Sequence, residues 1–461
     1  MQNTIITSTE QSQTTLPTIV IDGVFFQFNQ TGIARVWRSL LEEWANSDFG
    51  QHLLVLDRSN TAPKVPGINY KLIDAYDYRY SALDCAKIQE ICDEIEADVF
   101  ISTYYTTPLF TPTVFMAYDM VPEAMEFDLN ELCWQEKHRG ILYSSRYLAI
   151  SQNTAKDLTK FFPHISPDLV TVAYCGVDNS FKPTSPDKVK GFKSKYNISK
   201  PYFLLVGSRL SLKGYKNAIL LFKALSQLEN RQKFAVVCIG GDTTLEPELE
   251  ALSHDIDVHL LTFEDAELRL AYGAAIALVY PSKYEGFGLP IVEAMACGCP
   301  VITCHNSSIP EVAGKAVLYV GEDNIEETIT ALKNVQKSEI SHRLIHLGLE
   351  QAKQFSWKKM ADIVRQVLTE TALKYQNKPA NQSTLIWQAF RQEQSYRQQR
   401  DPLINKLEKL DQENRQLSAT IKELEDKIAD LSTTKAAIRK IYETFSNKIG
   451  LGRLGKNTSN H

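Results

Sequence analysis

Two acidic side chains flank a glycine-rich turn in the segment YEGFGLPIVEAMACGCPV, which follows an apolar run ending at Tyr280. Glycines on both sides of an aromatic residue let the backbone approach a ligand closely. A proline suits the first helical position, and the free N–H groups of the helix start form an anion site. A first-turn carboxylate also has a plain structural use, because it complements the helix dipole. The candidate binding residues are Glu285, Gly286, Phe287, Gly288, Leu289 and Glu293.

A second candidate site combines a glycine turn with two kinds of cation. The apolar run Tyr202–Val206 is followed by Gly207 and Arg209, and Lys216 precedes the next helical pattern. This combination suits a diphosphate, because arginine offers a planar fork of donors and lysine a compact charge. The alternative interpretation is an exposed basic loop without a ligand.

The acidic segment resembles the signature of glycosyltransferase family 4, E-G-F-G-L-P-x-x-E-A-M-A-x-G-x-P-V, whose members have the GT-B fold. Glu285 and Glu293 match the two acids of the family's E-x7-E motif. The resemblance implies that Glu285 contacts the transferred sugar and that Glu293 binds the nucleotide ribose. It extends over residues 16–372.

The basic loop is similar to the arginine and lysine with which this family neutralises the departing diphosphate. Arg209 takes the arginine position. For the lysine, Lys216 in its Tyr-Lys-Asn setting is preferred to Lys213. Arg209, Lys216 and Glu285 are therefore the expected catalytic residues.

Two further positions of the family fall in the N-terminal half. Gly32, at a helix start after the first strand, is similar to the glycine whose backbone faces the donor phosphate, although a glycine there is also an ordinary cap. Tyr118 and Asp119 stand where many members have His-Asp. Tyr118 lacks an imidazole, whereas Asp119 keeps a carboxylate for a sugar hydroxyl. Both are predicted to contact the acceptor or the transferred sugar.

The resemblance implies a retaining transfer of a hexose from a nucleoside diphosphate sugar to a glycan or lipid-linked acceptor in polysaccharide biosynthesis. The cations and the helix start near Gly288 would stabilise charge on the departing diphosphate. No Asp-x-Asp motif at a strand end indicates a divalent metal, so metal-independent catalysis without a further cofactor is expected. The Gly-Ser-Arg…Tyr-Lys-Asn variant resembles members that use GDP-mannose, which is the expected donor.

Two alternatives belong to other classes of protein. The first is a different enzyme on the same fold, either a sugar-nucleotide epimerase or a sugar phosphorylase, and the signature around Glu285 argues against it. The second is a catalytically weak GT-B scaffold that acts through coiled-coil dimerisation. The retained acids and cations argue against that interpretation.

Alternating strand-like and helix-like segments must position these residues. Such alternation predicts an α/β chain with two Rossmann-like domains of the GT-B type facing across a cleft, where ligands bind at the carboxyl ends of the strands. The predicted segments are a disordered N-terminus (1–15), an N-terminal acceptor domain (16–185), a C-terminal nucleotide-sugar domain (190–355), a crossover helix on the N-terminal domain (356–375), a linker (376–401), a coiled coil (402–446) and a tail (447–461).

A heptad repeat begins at Pro402. Leucine fills most d positions, and Asn414 and Ile421 stand at a, which is typical of a parallel two-stranded coiled coil and predicts a homodimer. A single amphipathic helix packed on the body is the alternative. The basic and apolar stretch Arg439–Gly455 would touch an anionic membrane in one interpretation and fray after the heptads in the preferred one.

The bulk composition is that of an ordinary globular protein, with 461 residues, 44% hydrophobic residues and a net charge of −5. Nothing in this charge indicates a nucleic-acid partner. No apolar run approaches the ~20 residues that span a membrane, and the first residues lack a secretory pattern. The eight scattered cysteines indicate a reduced compartment. We therefore expect a cytoplasmic protein. Peripheral contact with the inner face of the plasma membrane is compatible with that location.

Overall fold

The computed structural model describes residues 16–28, 32–209, 214–375 and 382–448. The predictions for residues 1–15, for Lys213 and for the tail beyond Lys448 lie outside these residues. The described chain divides into a first unit that extends to Gln392 and a second unit that begins at Glu393.

The N-terminal domain of the first unit is built on a seven-stranded parallel sheet in the order β3-β2-β1-β4-β5-β6-β7. Its central strands are short apolar runs buried on both faces, as parallel sheets require. The strands are β1 (Ile19–Asp22), β2 (Leu53–Arg58), β3 (Asn69–Ile73), β4 (Val99–Ser102), β5 (Thr113–Ala117), β6 (Arg146–Ala149) and β7 (Val170–Val172).

Helices cover both faces of this sheet. The amphipathic pattern predicted for Gly32–Trp44 forms α2, which buries one stripe that includes Trp37 and Leu40. Ser151 caps the helix that follows it, since its hydroxyl accepts from the N–H of Thr154. The helices are α1 (Val24–Phe28), α2 (Ile33–Ala45), α3 (Ser81–Glu94), α4 (Val121–Ala124), α5 (Leu132–Tyr143) and α6 (Gln152–Phe161).

The C-terminal domain repeats this design with a six-stranded parallel sheet in the order β10-β9-β8-β11-β12-β13. The two parallel sheets confirm the predicted pair of Rossmann-like domains. The strands are β8 (Tyr202–Val206), β9 (Ala235–Ile239), β10 (Asp257–Leu261), β11 (Ala277–Tyr280), β12 (Val301–Cys304) and β13 (Leu318–Val320). The helices are α7 (Pro186–Lys195), α8 (Ile219–Ser226), α9 (Pro247–Leu252), α10 (Asp265–Ala274), α11 (Leu289–Ala296), α12 (Ile309–Ala313), α13 (Ile325–Asn334) and α14 (Ser338–Ala352).

The next helix, α15 (Trp357–Tyr375), returns to the N-terminal domain and packs on α2 and on strands β4 to β6. The indole N–H of Trp44 donates to the carbonyl of Ala361 at 3.1 Å. At the helix start, a Cβ on Gly176 would lie 2.1 Å from the backbone nitrogen of Trp357, so only glycine fits there. The end of the second domain is thereby fixed to the first.

The last helix, α16, runs continuously from Gln382 to Lys448 and passes through Pro402. The structure differs here from the linker predicted for residues 376–401, because residues 382–401 are helical. Two causes account for the difference: this stretch is rich in good helix formers, and its first turns pack on the N-terminal domain. The Arg391 guanidinium is buried against Glu136 of α5, and the ring of Trp387 stacks on Tyr143 at 5.0 Å.

The heptad positions of α16 in the second unit are exposed. The leucines at d, namely Leu403, Leu410, Leu417, Leu424 and Leu431, are between 47% and 69% exposed. No helix within the described residues combines the length and the apolarity that crossing a membrane requires. All eight cysteines are unpaired, and seven of them are buried.

Candidate functional site

Two loops at the carboxyl edge of the second sheet bring Lys216 and Glu285 together. The loop after β8 docks on the end of β11, because the N–H of Lys283 donates to the carbonyl of Tyr215 at 2.8 Å. The side-chain amide of Asn217 adds a bond to the carbonyl of Pro281 at 3.2 Å. The amine of Lys216 then donates to the Glu285 carboxylate at 2.6 Å. Residues 69 positions apart in sequence thus form an ion pair.

The ammonium of Lys216 is held in an aromatic and acidic environment. It lies 3.2 Å from the Tyr280 hydroxyl and 5.2 Å from the centre of the Tyr215 ring. Burial acts to lower the pKa of Lys216, but the Glu285 carboxylate and the neighbouring phenols outweigh burial and raise it. Lys216 therefore carries its charge across the neutral range. A charge that is fixed before a ligand arrives is suited to stabilising a second anion.

The glycine-rich turn places Glu285 against the other domain. The N–H of Glu285 donates to the Ser307 hydroxyl at 2.9 Å, and the Ser308 hydroxyl donates to the Glu285 carbonyl at 2.9 Å. A Cβ on Gly286 would lie 1.8 Å from the carbonyl oxygen of Tyr118. Gly288 has a φ of +93° and caps the start of α11, a conformation that favours glycine.

The side chains of Phe287 and Leu289 serve packing in this structure. The Phe287 ring is 2% exposed and meets the Phe355 ring edge to face at 5.4 Å. Leu289 is partly buried against the same core. These two predicted donor-binding residues can therefore offer a donor their backbone, whereas their side chains hold the turn in place.

The predicted second cation, Arg209, is engaged elsewhere. Its guanidinium pairs with Glu246 at 2.9 Å and donates to three carbonyls of the loop after β9, those of Gly240, Asp242 and Thr244, at 2.6 to 3.0 Å. The side chain is 1% exposed. The structure thus brings Lys216 to Glu285 but leaves Arg209 in a separate buried network. For Arg209 to reach a diphosphate, its guanidinium would have to exchange these partners.

The second acid of the motif, Glu293, bridges the two domains. Its carboxylate accepts from the guanidinium of Arg35 on α2 and from the Tyr272 hydroxyl at 2.9 Å. Arg35 also pairs with Asp265 at the start of α10. Burial raises the pKa of Glu293, and Arg35 and Tyr272 partly oppose this effect. A ribose at this carboxylate would therefore bind beside an interdomain contact.

The pair Tyr118–Asp119 contributes to the site in two different ways. The Tyr118 hydroxyl accepts from the Trp37 indole at 2.5 Å and donates to the Thr103 carbonyl at 2.9 Å, so its phenol is committed to the core. Asp119 instead lines the cleft. One of its carboxylate oxygens accepts from the N–H of Val121 at 3.0 Å, and burial raises its pKa. Of the two predicted sugar contacts, Asp119 alone presents its side chain to the cleft.

A cavity of about 320 Å³ lies between the domains in front of Lys216. The C-terminal domain contributes Ser208, Tyr215 and Lys216, and the N-terminal domain contributes Asp119 together with aromatic rings. The size and the mixture of rings with a few charged groups are typical of a small-molecule site. The lining residues from the N-terminal domain are Ile33, Tyr104, Tyr105, Asp119, Val121, Pro122, Phe127 and Trp134.

The two remaining predicted glycines are both at element ends. Gly32 precedes α2 with a φ of +37°, and Gly207 follows β8 with a φ of +112°. A Cβ would meet nothing within 4 Å at either position, so backbone conformation and not space favours glycine there. Among the described residues, no group of three acidic, histidine or cysteine side chains is arranged to hold a metal ion.

Several residues of the site were not identified from the sequence. Arg35 and Tyr272 hold Glu293, and Lys137 donates to the Asp119 carbonyl at 3.1 Å. For Arg35 a weak signal existed, since it lies in the helix start that carries Gly32. Tyr272 and Lys137 lie in ordinary amphipathic helices, and no local pattern distinguishes them.

Comparison with known proteins identifies a similar family and similar relatives. Residues 189–354 match the family model described as glycosyl transferases group 1. The O-antigen chain mannosyltransferase B of Escherichia coli is 30% identical over 266 residues, which are 56% of this chain and 66% of that protein. The O-antigen chain mannosyltransferase RfbU of Salmonella typhimurium is 27% identical over 244 residues, 51% of this chain and 64% of that protein.

Solved structures show the same fold. The structure of Anabaena HepE in complex with UDP and glucose superposes with a TM-score of 0.59 at 17% identity, covering 77% of this chain and 99% of that chain. The chain spans no more than about two thirds of the length of the curated relatives named above. Residues 189–354 therefore match a group 1 glycosyltransferase domain, and they form the C-terminal half of a GT-B fold.

Proposed function

We propose that this protein is a retaining glycosyltransferase that moves a hexose from a nucleoside diphosphate sugar to a glycan or lipid-linked acceptor. The observation that carries the proposal is the Lys216–Glu285 ion pair, which faces a cavity closed on its other side by Asp119. A cation and a carboxylate at the carboxyl edge of the second sheet, opposite a carboxylate of the N-terminal domain, suit a reaction with charged and hydroxylated partners.

Each group has a role in the proposed reaction. The C–O bond between the anomeric carbon and the diphosphate breaks through an oxocarbenium-like transition state, and the electron pair leaves with the diphosphate. Lys216 and the start of α11 at Gly288 stabilise this anion. Glu285 contacts the transferred hexose, and Glu293 binds the ribose. The acceptor hydroxyl attacks the same face, and its proton passes to the departing phosphate oxygen.

GDP-mannose is the proposed donor. Two of the relatives that match this chain are named O-antigen chain mannosyltransferases, which favours mannose and a role in polysaccharide biosynthesis. The solved structure of HepE holds UDP and glucose, so UDP-glucose is the competing donor to test. We propose catalysis without a metal ion, since Lys216 supplies charge at the diphosphate position.

The second unit is proposed to join two copies of the chain in a parallel coiled coil. Its d-position leucines are exposed along α16, and a polar Asn414 at a is a device that fixes register. In a parallel pair, Lys406 at g would face Asp411 at e of the second copy, with opposite charge. Such a dimer would work in the cytoplasm.

The first experiment is a thermal-shift panel with GDP, UDP and ADP, their sugars, and EDTA. A ligand that binds only the folded state raises the melting temperature. We expect GDP and GDP-mannose to stabilise the protein in EDTA and free GDP to appear when an acceptor is supplied. Stabilisation by UDP alone would contradict the donor. No response to any nucleotide from a folded sample would contradict the enzyme itself.

A further inference from the structure

A stacked pair of aromatic rings reaches the surface of the N-terminal domain outside the cavity, with one ring exposed and the other partly buried. Phe28, the last residue of α1, is 41% exposed. Its ring stacks on that of Tyr78, with centroids 5.6 Å apart and planes 11° apart. Phe28 is therefore the exposed end of a cluster of partly buried rings, whereas exposed apolar residues that occur singly are ordinary.

Tyr104 connects this pair with the cavity. Its ring lies 6.3 Å from that of Phe28 and also lines the cavity that holds Asp119 and Lys216. On the other side, the Tyr104 ring stacks on Tyr105, a further lining residue. Aromatic rings therefore continue without a break from the proposed reaction centre to the surface of the domain.

The loop that carries Tyr78 is fixed to α1 before any ligand binds. The side-chain amide of Gln27 donates to the Tyr76 carbonyl at 2.8 Å and accepts from the Tyr76 N–H at 2.7 Å. The Tyr76 ring then meets the rings of Tyr78 and Phe28 edge to face, at 5.0 and 6.3 Å. A surface held in place by such contacts loses little entropy on binding.

The edge of this surface is polar but neutral overall. Asp77 and Arg79 lie on either side of Tyr78, form an ion pair with each other, and keep donors and acceptors in contact with water. A sugar ring matches this surface, because one of its faces carries C–H groups that pack on an aromatic ring and its rim carries hydroxyls. An acyl chain would match the rings but not the charged rim.

We propose that Phe28, Tyr78 and Tyr104 form an acceptor subsite that binds sugar residues of a glycan beyond the one that receives the hexose. The inference rests on the proposed function and deepens it: the acceptor is an oligosaccharide chain and not a single sugar. Each further sugar stacked outside the cavity adds affinity without touching the reacting atoms. Acceptor affinity must therefore increase with the length of the chain.

The test uses the full chain and linear α-manno-oligosaccharides of two, three and five sugars, titrated by calorimetry with GDP present. We expect affinity to rise by about tenfold from the shortest to the longest, equal to about 1.4 kcal/mol. In Phe28→Ala this rise disappears while the affinity for the disaccharide stays the same. The control is Leu142→Ala, which removes an exposed apolar side chain on a different helix, α5, and should behave as the wild type. If Phe28→Ala does not fold, Phe28→Leu keeps the apolar bulk and removes only the ring.

Three results would overturn the subsite. The first is equal affinity for all lengths, or no binding of any glycan, in the wild type. The second is an unchanged rise in the Phe28 variants. The third is Phe28-dependent binding to phosphatidylglycerol vesicles in place of glycans, which would assign the surface to a membrane. Stabilisation by GDP is measured on the same samples, so a failed subsite in a protein that binds GDP leaves the proposed function standing.

Discussion

The backbone of Gly286 packs directly on the carbonyl oxygen of Tyr118, although the two residues belong to different domains. A Cβ at Gly286 would lie 1.8 Å from that oxygen and 3.0 Å from the Cβ of Asp119. The glycine after the first motif acid thus sets how closely the two halves of the cavity approach each other. The separation of Lys216 and Asp119 depends on this contact.

Gly286→Ala should hold the domains apart and reduce turnover by more than about tenfold, because ångström-scale misplacement of reacting groups is costly. Each sheet keeps its own core, so we expect a folded protein with a raised KM for the acceptor. Gly191→Ala is the matched control, since a Cβ there meets nothing within 4 Å and the residue lies in a helix. Equal steady-state kinetics for the two variants would show that closure does not depend on Gly286.

Glu285→Gln should reduce the rate of transfer by about 10²-fold or more, since it removes a charge that acts at the transition state. The variant keeps the shape of the side chain but not the ion pair with Lys216 at 2.6 Å. The control is Asp323→Asn, which breaks an exposed pair with Lys283 nearby. Single-turnover measurements separate the chemical step from binding. A Glu285→Gln enzyme with a near-normal chemical step would remove Glu285 from the mechanism.

The pH dependence of GDP binding should report Glu293. Burial raises the pKa of this carboxyl. When the pH is lowered, the affinity for ribose should therefore be lost at a higher pH than it would be with an ordinary glutamate. Arg35 opposes the rise and Asp265 adds to it, while the Tyr272 hydroxyl donates to the carboxylate. Arg35→Gln should therefore move the acid limb to higher pH, and Asp265→Asn should move it to lower pH. Titrations of both variants that superpose on the wild type would exclude Glu293 as the group responsible.

The raised pKa of Glu293 also makes the free energy of unfolding depend on pH. Between the unfolded pKa of a glutamate and the raised folded value, the folded protein binds more protons than the unfolded one. The contribution of Glu293 to the free energy of unfolding therefore decreases as pH rises through this window. Arg35→Gln should widen the window, and urea denaturation at a series of pH values measures it.

Much of the fold could be predicted because its central strands are short, buried, apolar runs. The apolar run Tyr202–Val206 forms strand β8, since a run of five residues that ends at a glycine turn is too short for a typical helix. The edge strands β3, β7 and β13 carry a weaker signal, because they are short and only partly buried. Their pairing comes from the neighbouring strand and not from a pattern of their own.

The site divides in the same manner into local and long-range parts. Glu285 and Lys216 could be proposed from the sequence because the local motif specifies the turn that carries each of them. The partner of Glu293 could not be found, since Arg35 lies 258 residues away and only the approach of two domains joins them. The direction of the Arg209 side chain was equally hidden, because it depends on three carbonyls of a loop beyond the next strand.

Arg391→Ala should destabilise the N-terminal domain by about 3–5 kcal/mol, because it leaves the Glu136 carboxylate buried with its main partner removed. The two side chains are 0% and 2% exposed. Arg397→Ala, which breaks an exposed pair one turn and a half further along α16, is the control and should change little. Glu136→Gln combined with Arg391→Met should recover part of the loss. Urea denaturation of the two single variants and the double variant measures these changes. An Arg391→Ala protein with the stability of the wild type would show that Arg391 does not anchor α16.

Point variants at heptad positions of α16 test whether the heptad repeat forms a dimer. Leu417→Glu puts a charge at a d position that is 60% exposed in the single chain, and should make the full-length protein monomeric by sedimentation. Ala419→Glu adds the same charge two residues later at f, on the outer face of a coiled coil, and should leave the dimer intact. Point variants are more specific than a deletion after Gln376, because the deletion would also remove Arg391 from the N-terminal domain. A dimer in both variants would place the interface elsewhere, and a monomeric wild type would contradict dimerisation through α16.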